Sequence, residues 1–176
     1  MRMLLVQTAA MHSYTNQEIV RANLPYAAMI MLGAATIALG YQFSVGSIWG
    51  ALAYFAYGFG GALWIMAFVC PYCAHFGART CPCGYGAVAA RLVKKGDREC
   101  FPQKFKRHIP VIAPLWIIPP ALGVAALVRS FNWLLLVLVC LFAVNAFIIL
   151  PLVSKRDSCG GCPQREICPW TSSTCG

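Results

Sequence analysis

Charge is what this chain has least of. Only 11% of its 176 residues are charged, against about 25% in an ordinary soluble domain. Acids are scarcer still, with 5 Asp and Glu against 14 Lys and Arg. Residues 24–43, 47–69, 109–128 and 131–153 contain no Asp, Glu, Lys or Arg at all. Ion pumps and ion-coupled transporters place ionisable groups at membrane depth. Here those stretches offer Asn145, Asn132, Gln42 and some hydroxyls, which excludes that class. Asn145 reads as an interhelical hydrogen bond. No stretch alternates as barrel strands do. There is no nucleotide-binding glycine loop and no Ser–His–Asp arrangement. Met29, Met31 and Met66 are scattered and form no ligand line for metal transport. The opening residues lack the apolar run of about 7–15 residues that a secretory leader needs, and read as a short cytosolic arm.

What is present is apolar length. Each uncharged stretch is near the roughly 20 residues that cross a bilayer as helix. The predicted fold is an all-α integral membrane protein with four transmembrane helices in two hairpins. Its parts are an arm at 1–23, a hairpin at 24–69, a Cys-rich basic loop at 70–108, a second hairpin at 109–153 and a Cys-rich tail at 154–176. The basic residues give orientation. Arg2 and Arg21 lie in the arm; Arg79, Arg91, Lys94, Lys95, Arg98, Lys104, Lys106 and Arg107 in the loop; Lys155, Arg156 and Arg165 in the tail. Only Arg129 falls on the other side. Lys and Arg near helix ends mark the cytosolic face, so arm, loop and tail are expected in the cytosol, as in a prokaryotic cytoplasmic membrane. A net charge of +9 then follows from topology, and nucleic-acid binding is not needed to explain it.

Small residues and prolines shape the spans. Gly46 and Gly50 have GxxxG spacing, and Gly58, Gly60 and Gly61 follow. Such residues let backbones approach closely in lipid, here for packing within the chain. Pro119 and Pro120 each remove a backbone donor, so the third span is expected to kink or break there.

The cysteines carry the chemistry. Cys140 lies inside the fourth span and reads as a small apolar side chain. The other nine of the 10 fall on the predicted cytosolic side. The loop holds Cys70, Cys73, Cys81 and Cys83 as C-x2-C-x7-C-x-C, with Cys100 beyond. The tail holds Cys159, Cys162, Cys168 and Cys175 as C-x2-C-x5-C-x6-C. Cytosolic thiols stay reduced, so this pattern points to metal or catalysis rather than disulfides. Two pairs complete a four-sulfur site. Two separate sites, or sites shared between loop and tail, are both possible, and Cys100 and His75 are additional candidate ligands.

Zinc and iron–sulfur clusters both accept four thiolates. Cys70, Cys81, Cys162 and Cys168 are each followed by proline, a pairing familiar from ferredoxin-type clusters. The leading expectation is an iron–sulfur subunit, with 4Fe–4S clusters, that passes electrons between a cytosolic redox partner and a quinone or another membrane subunit. If the chain takes part in catalysis, it does so as an oxidoreductase subunit. His75 and His108, at the membrane edge, are the quinone-site candidates. The first alternative is a scaffold stapled by zinc. The second is a thiol oxidoreductase using Cys70 and Cys73, since Cys-Pro-Tyr-Cys is also the glutaredoxin redox motif; here it follows a membrane span rather than a strand. Beyond the cysteines, residues 87–95 read as a short amphipathic helix stopped by Gly96. Partner subunits and oligomeric state have no sequence signal.

Overall fold

The computed structural model describes residues 12–156, 162–164 and 168. Among them the chain is helical and without strands, and four helical segments are long and apolar enough to cross a membrane: Asn16–Gly40, Val45–Tyr72, Arg98–Arg129 and Trp133–Ser154. The first is helix α1, Asn16–Gly40. Its 25 residues rise about 37 Å, more than the roughly 30 Å hydrocarbon core. It begins eight residues before the expected span, because Thr15 and Glu18 form a reciprocal capping box: the Thr15 side chain accepts from the Glu18 N–H, and the Glu18 carboxylate accepts from the Thr15 N–H at 2.8 Å. Residues 16–23 therefore belong to a helix that projects past the apolar stretch.

Helix α2, Val45–Phe68, returns after a tight turn in which Gln42 and Phe43 have φ of 54° and 53°. The loop carries α3, Tyr85–Leu92, and then α4, Phe101–His108, which leads into α5, Pro114–Arg129. The last span is α6, Trp133–Val144, a π turn at Asn145–Ile149 and α7, Leu150–Ser154. Helix α1 packs against α2, α5 and α6 and forms the spine of the bundle. Its buried positions, Pro25, Met29, Ile30, Gly33, Thr36 and Ile37, recur at helical spacing. Met29, Tyr54, Leu115, Phe142 and Ala146 meet there in one core. The outward faces are apolar: Trp49, Phe59 and Val128 are exposed, as lipid-facing side chains should be.

Of the kink or break expected at Pro119-Pro120, the break does not occur, since α5 is helical through both prolines. Pro119 has no N–H for the Leu115 carbonyl. The Tyr54 hydroxyl of α2 donates to that oxygen instead, at 2.9 Å. Neighbouring helices can satisfy backbone groups freed by proline within a membrane. The α-helix is interrupted earlier, at the 3-10 turn Ile109–Ile112 that contains Pro110. The Tyr57 hydroxyl donates to the Val111 carbonyl in this turn.

The same device recurs. The π turn has its backbone bond from the Leu150 N–H to the Asn145 carbonyl. Continuing that register would require an N–H at Pro151 for the Ala146 carbonyl, and proline has none. The Trp116 indole N–H supplies it at 3.3 Å. The Asn145 side chain donates to the Pro25 carbonyl at 2.9 Å, an interhelical bond. The Tyr26 hydroxyl donates to the Gly58 carbonyl at 2.9 Å.

The glycines divide by location. A Cβ at Gly58 would lie 2.6 Å from Ile30, and at Gly61 2.9 Å from Ile112. These two serve packing within the chain. Gly46 and Gly60 face open space. In the loop, α3 ends at Leu92 rather than at Gly96. Gly96 instead donates its N–H to the Pro71 carbonyl at 3.1 Å and lies against the Tyr72 ring.

Candidate functional site

The loop cysteines are set by four linked turns. Cys70–Tyr72 continues α2 as a 3-10 turn, and the Cys73 N–H closes it on the Cys70 carbonyl at 3.0 Å. Phe76 N–H then donates to the Cys73 carbonyl at 3.1 Å, and Ala78 N–H to the His75 carbonyl at 3.2 Å. The fourth turn, Cys81 to Gly84, closes through the Gly84 N–H at 2.9 Å. Gly84 has φ +73°, which suits glycine. Gly86 lets the chain after the fourth turn approach the third, since a Cβ there would lie 2.2 Å from the His75 carbonyl oxygen.

The arm and the tail both bind this loop. Tyr14 N–H donates to the Arg79 carbonyl at 2.9 Å, and Arg79 donates to the Asn16 side chain. Asn23 of α1 donates to the Cys83 carbonyl at 3.0 Å. From the tail, the buried Gln164 amide spans two loop peptides. Its oxygen accepts the Ala74 N–H at 2.8 Å, and its nitrogen donates to the Tyr72 carbonyl at 3.3 Å. These two peptides flank Cys73, so the clasp brings Cys162, two residues before Gln164, towards the loop thiols. Gln164 was not singled out from sequence. Nothing in its spacing marks a side chain that works by bridging two distant peptide groups.

Electrostatics report which thiols are near one another. Burial pushes the Cys73 thiol up to about 11, and Cys81, Cys162 and Cys168 push it in the same direction. Cys162 is also raised, by burial first and then by Cys168 and Cys81. Cys70 lies within electrostatic reach of Cys81, Cys73 and Cys83. Tyr85 is raised by burial and by Cys83, Tyr26, Cys70 and Cys81. Loop and tail thiols thus share one neighbourhood, across the boundary between the two sequence groups. The mutual penalty is the kind that a bound cation removes, because a coordinated thiol is deprotonated outright. Among the described residues, however, no three Cys, His, Asp or Glu side chains stand in a metal-ligating arrangement. Cys159 and Cys175 lie outside the described residues.

The remaining candidates have distinct settings. Cys100 ends the 3-10 turn Arg98–Cys100, which packs on the Cys70–Tyr72 turn. His75 is buried, with Nδ1 2.9 Å from the Thr80 hydroxyl oxygen. Its pKa is lowered by burial and by the Arg98 charge. Arg98 also donates to the Ala74 carbonyl at 3.5 Å, so this side chain supports the loop as well as adding charge. His108 is elsewhere: its ring stacks on Phe68 at 5.1 Å and lies 5.9 Å from Trp64. The two histidines do not form a pair. No protein-family model, no curated protein and no solved structure matches this chain.

Proposed function

We propose that the protein is a membrane electron-transfer subunit whose loop and tail cysteines hold iron–sulfur cofactor at the cytosolic edge of the bilayer. The observation that carries this reading is that Cys162 lies within electrostatic reach of Cys73 and Cys81, and Cys168 of Cys73, while Cys70 lies within reach of Cys73, Cys81 and Cys83. It favours ligand sets shared between loop and tail, with Cys159, Cys175 and Cys100 to complete them. Thiolates would supply four ligands to each cluster, which exchanges one electron at a time. A reduced soluble partner would dock on the basic loop and deliver those electrons. A quinone would take up two electrons in succession and two protons from the aqueous side. His108, with Phe68 and Trp64 beside it at the membrane edge, is the better quinone contact. His75 is buried and engaged with Thr80.

A zinc-stapled scaffold is the second reading, and the Gln164 clasp favours it, since it already joins tail to loop. Thiol–disulfide catalysis through Cys70 and Cys73 fares worse. A nucleophilic thiol needs a lowered pKa, and Cys73 is raised to about 11. The test is anaerobic purification followed by metal and acid-labile sulfide analysis, absorption and EPR spectroscopy. Iron with matching sulfide, and an EPR signal on reduction, is the expected result. A colourless protein with stoichiometric zinc and no iron would establish the scaffold instead.

A further inference from the structure

A cleft of about 410 Å³ opens between the start of α1 and the end of α7, with no cysteine in its lining. Arg21 and Arg156 stand on its two sides, with Tyr14 and Glu18 towards the aqueous end and Leu24 and Val153 towards the bilayer. Both arginines are exposed. The only acid in the cleft is already committed: Glu18 accepts from the Thr15 N–H at 2.8 Å, and its other oxygen faces His12 Nε2 at 3.3 Å. That His–Glu contact is the only ion pair among the described residues, so neither arginine has an acidic partner there. A second hollow, about 420 Å³, shares Arg21 and Leu24 and adds Val20.

We propose that this cleft binds the headgroup of an anionic membrane phospholipid. Two guanidinium groups on separate helices match phosphate oxygens, which arginine can grip in bidentate fashion. The apolar ends of both hollows point the acyl chains along α1. Leu24 is where the uncharged stretch of this helix begins, so the arginines sit at headgroup level while the floor is already hydrocarbon. Basic pockets between membrane helices are suited to such headgroups. Net positive charge in the cleft disfavours the choline of a zwitterionic lipid. The proposal is independent of what the cysteines bind.

The experiment is native mass spectrometry of the full-length protein released from micelles containing phosphatidylglycerol or phosphatidylcholine at equal concentration. Each arginine near a membrane surface contributes about fivefold to anionic binding. Arg21→Gln with Arg156→Gln should therefore reduce phosphatidylglycerol retention by about twenty- to thirtyfold. Arg107→Gln, at the same end but outside the cleft, should leave it unchanged. Val153→Trp fills the cleft with both charges kept, so it reports on the site even if the double variant fails to fold; it too should lose the lipid. Equal retention of the two lipids by the native chain overturns the proposal. So does undiminished phosphatidylglycerol binding by Val153→Trp or by a folded double variant. Free glycerol phosphate should not displace the lipid; displacement at equal concentration would make this a site for a soluble anion.

Discussion

Gln164→Ala tests whether the tail is held to the loop by the contact on which the shared thiol neighbourhood depends. The substitution removes two hydrogen bonds, at 2.8 and 3.3 Å. It also leaves the N–H of the buried Ala74 without its acceptor. A neutral hydrogen bond is worth about 1 kcal/mol net, and a buried group left unpaired costs about 1–3 kcal/mol. Together these weaken tail docking by about 2–4 kcal/mol, a thirtyfold or larger rise in the undocked population. The assay is alkylation of the reduced, metal-free protein with a small maleimide, followed site by site through peptide mass. Cys73 and Cys162 should label at least tenfold faster in the variant, while Cys140 on α6 should be unaffected. Gln164→Glu keeps an acceptor but turns the donor into an oxygen facing the Tyr72 carbonyl, so it should also undock the tail. Unchanged labelling of Cys73 and Cys162 in both variants would refute the clasp.

Three further outcomes follow from the bundle and the loop. Tyr54→Phe should cost about 1–2 kcal/mol in reversible unfolding from mixed micelles, and less than half of that in a Pro119→Ala background, where the substituted residue restores an N–H to the Leu115 carbonyl; no coupling between the two sites would defeat the account of α5. Gly58→Ala should destabilise by about 1–3 kcal/mol through overpacking, because its Cβ would meet Ile30 at 2.6 Å, whereas Gly60→Ala, with nothing within 4 Å, should change stability by less than about 0.5 kcal/mol; thermal unfolding in detergent compares them. In metal-free protein, alkylation of Cys73 should rise about tenfold per pH unit and level only near pH 11, because a raised pKa leaves the thiol neutral below that pH and only the thiolate reacts; a plateau near pH 8.5 would contradict the burial.

The four long helical segments were legible because bilayer length and the absence of charge are properties of a run, and need no partner. The start of α1 was legible in principle: Thr15 and Glu18 have capping-box spacing. Glu18 and Arg21 made the segment look like an aqueous arm, and it is in fact the first two turns of α1. At Pro119-Pro120 kink and break were both open, and the helix runs on without a break. Whether a proline breaks a membrane helix depends on what the freed carbonyl finds, and Tyr54 is 61 positions away from Leu115 in the chain. The π turn at Asn145–Ile149 has the same character. In the site, the types and spacing of the cysteines were readable, but their grouping was not. Gln164 acts across 90 residues on Ala74, and Arg98 contacts the Ala74 carbonyl from the far side of α3. Contacts of that range leave no local pattern.

The bonds that Tyr54, Asn145 and Trp116 make to main-chain carbonyls have a consequence for biogenesis. Tyr26 and Gly58 both belong to the first hairpin, so that bond can close as soon as α1 and α2 have entered the membrane. The Tyr54 hydroxyl cannot find its acceptor until α5 arrives. A nascent chain halted after α2 therefore exposes a phenol that lipid cannot hydrate. Completion of the second hairpin is then rewarded by polar closure as well as by packing, which gives quality control a chemical criterion for telling a finished bundle from half of one.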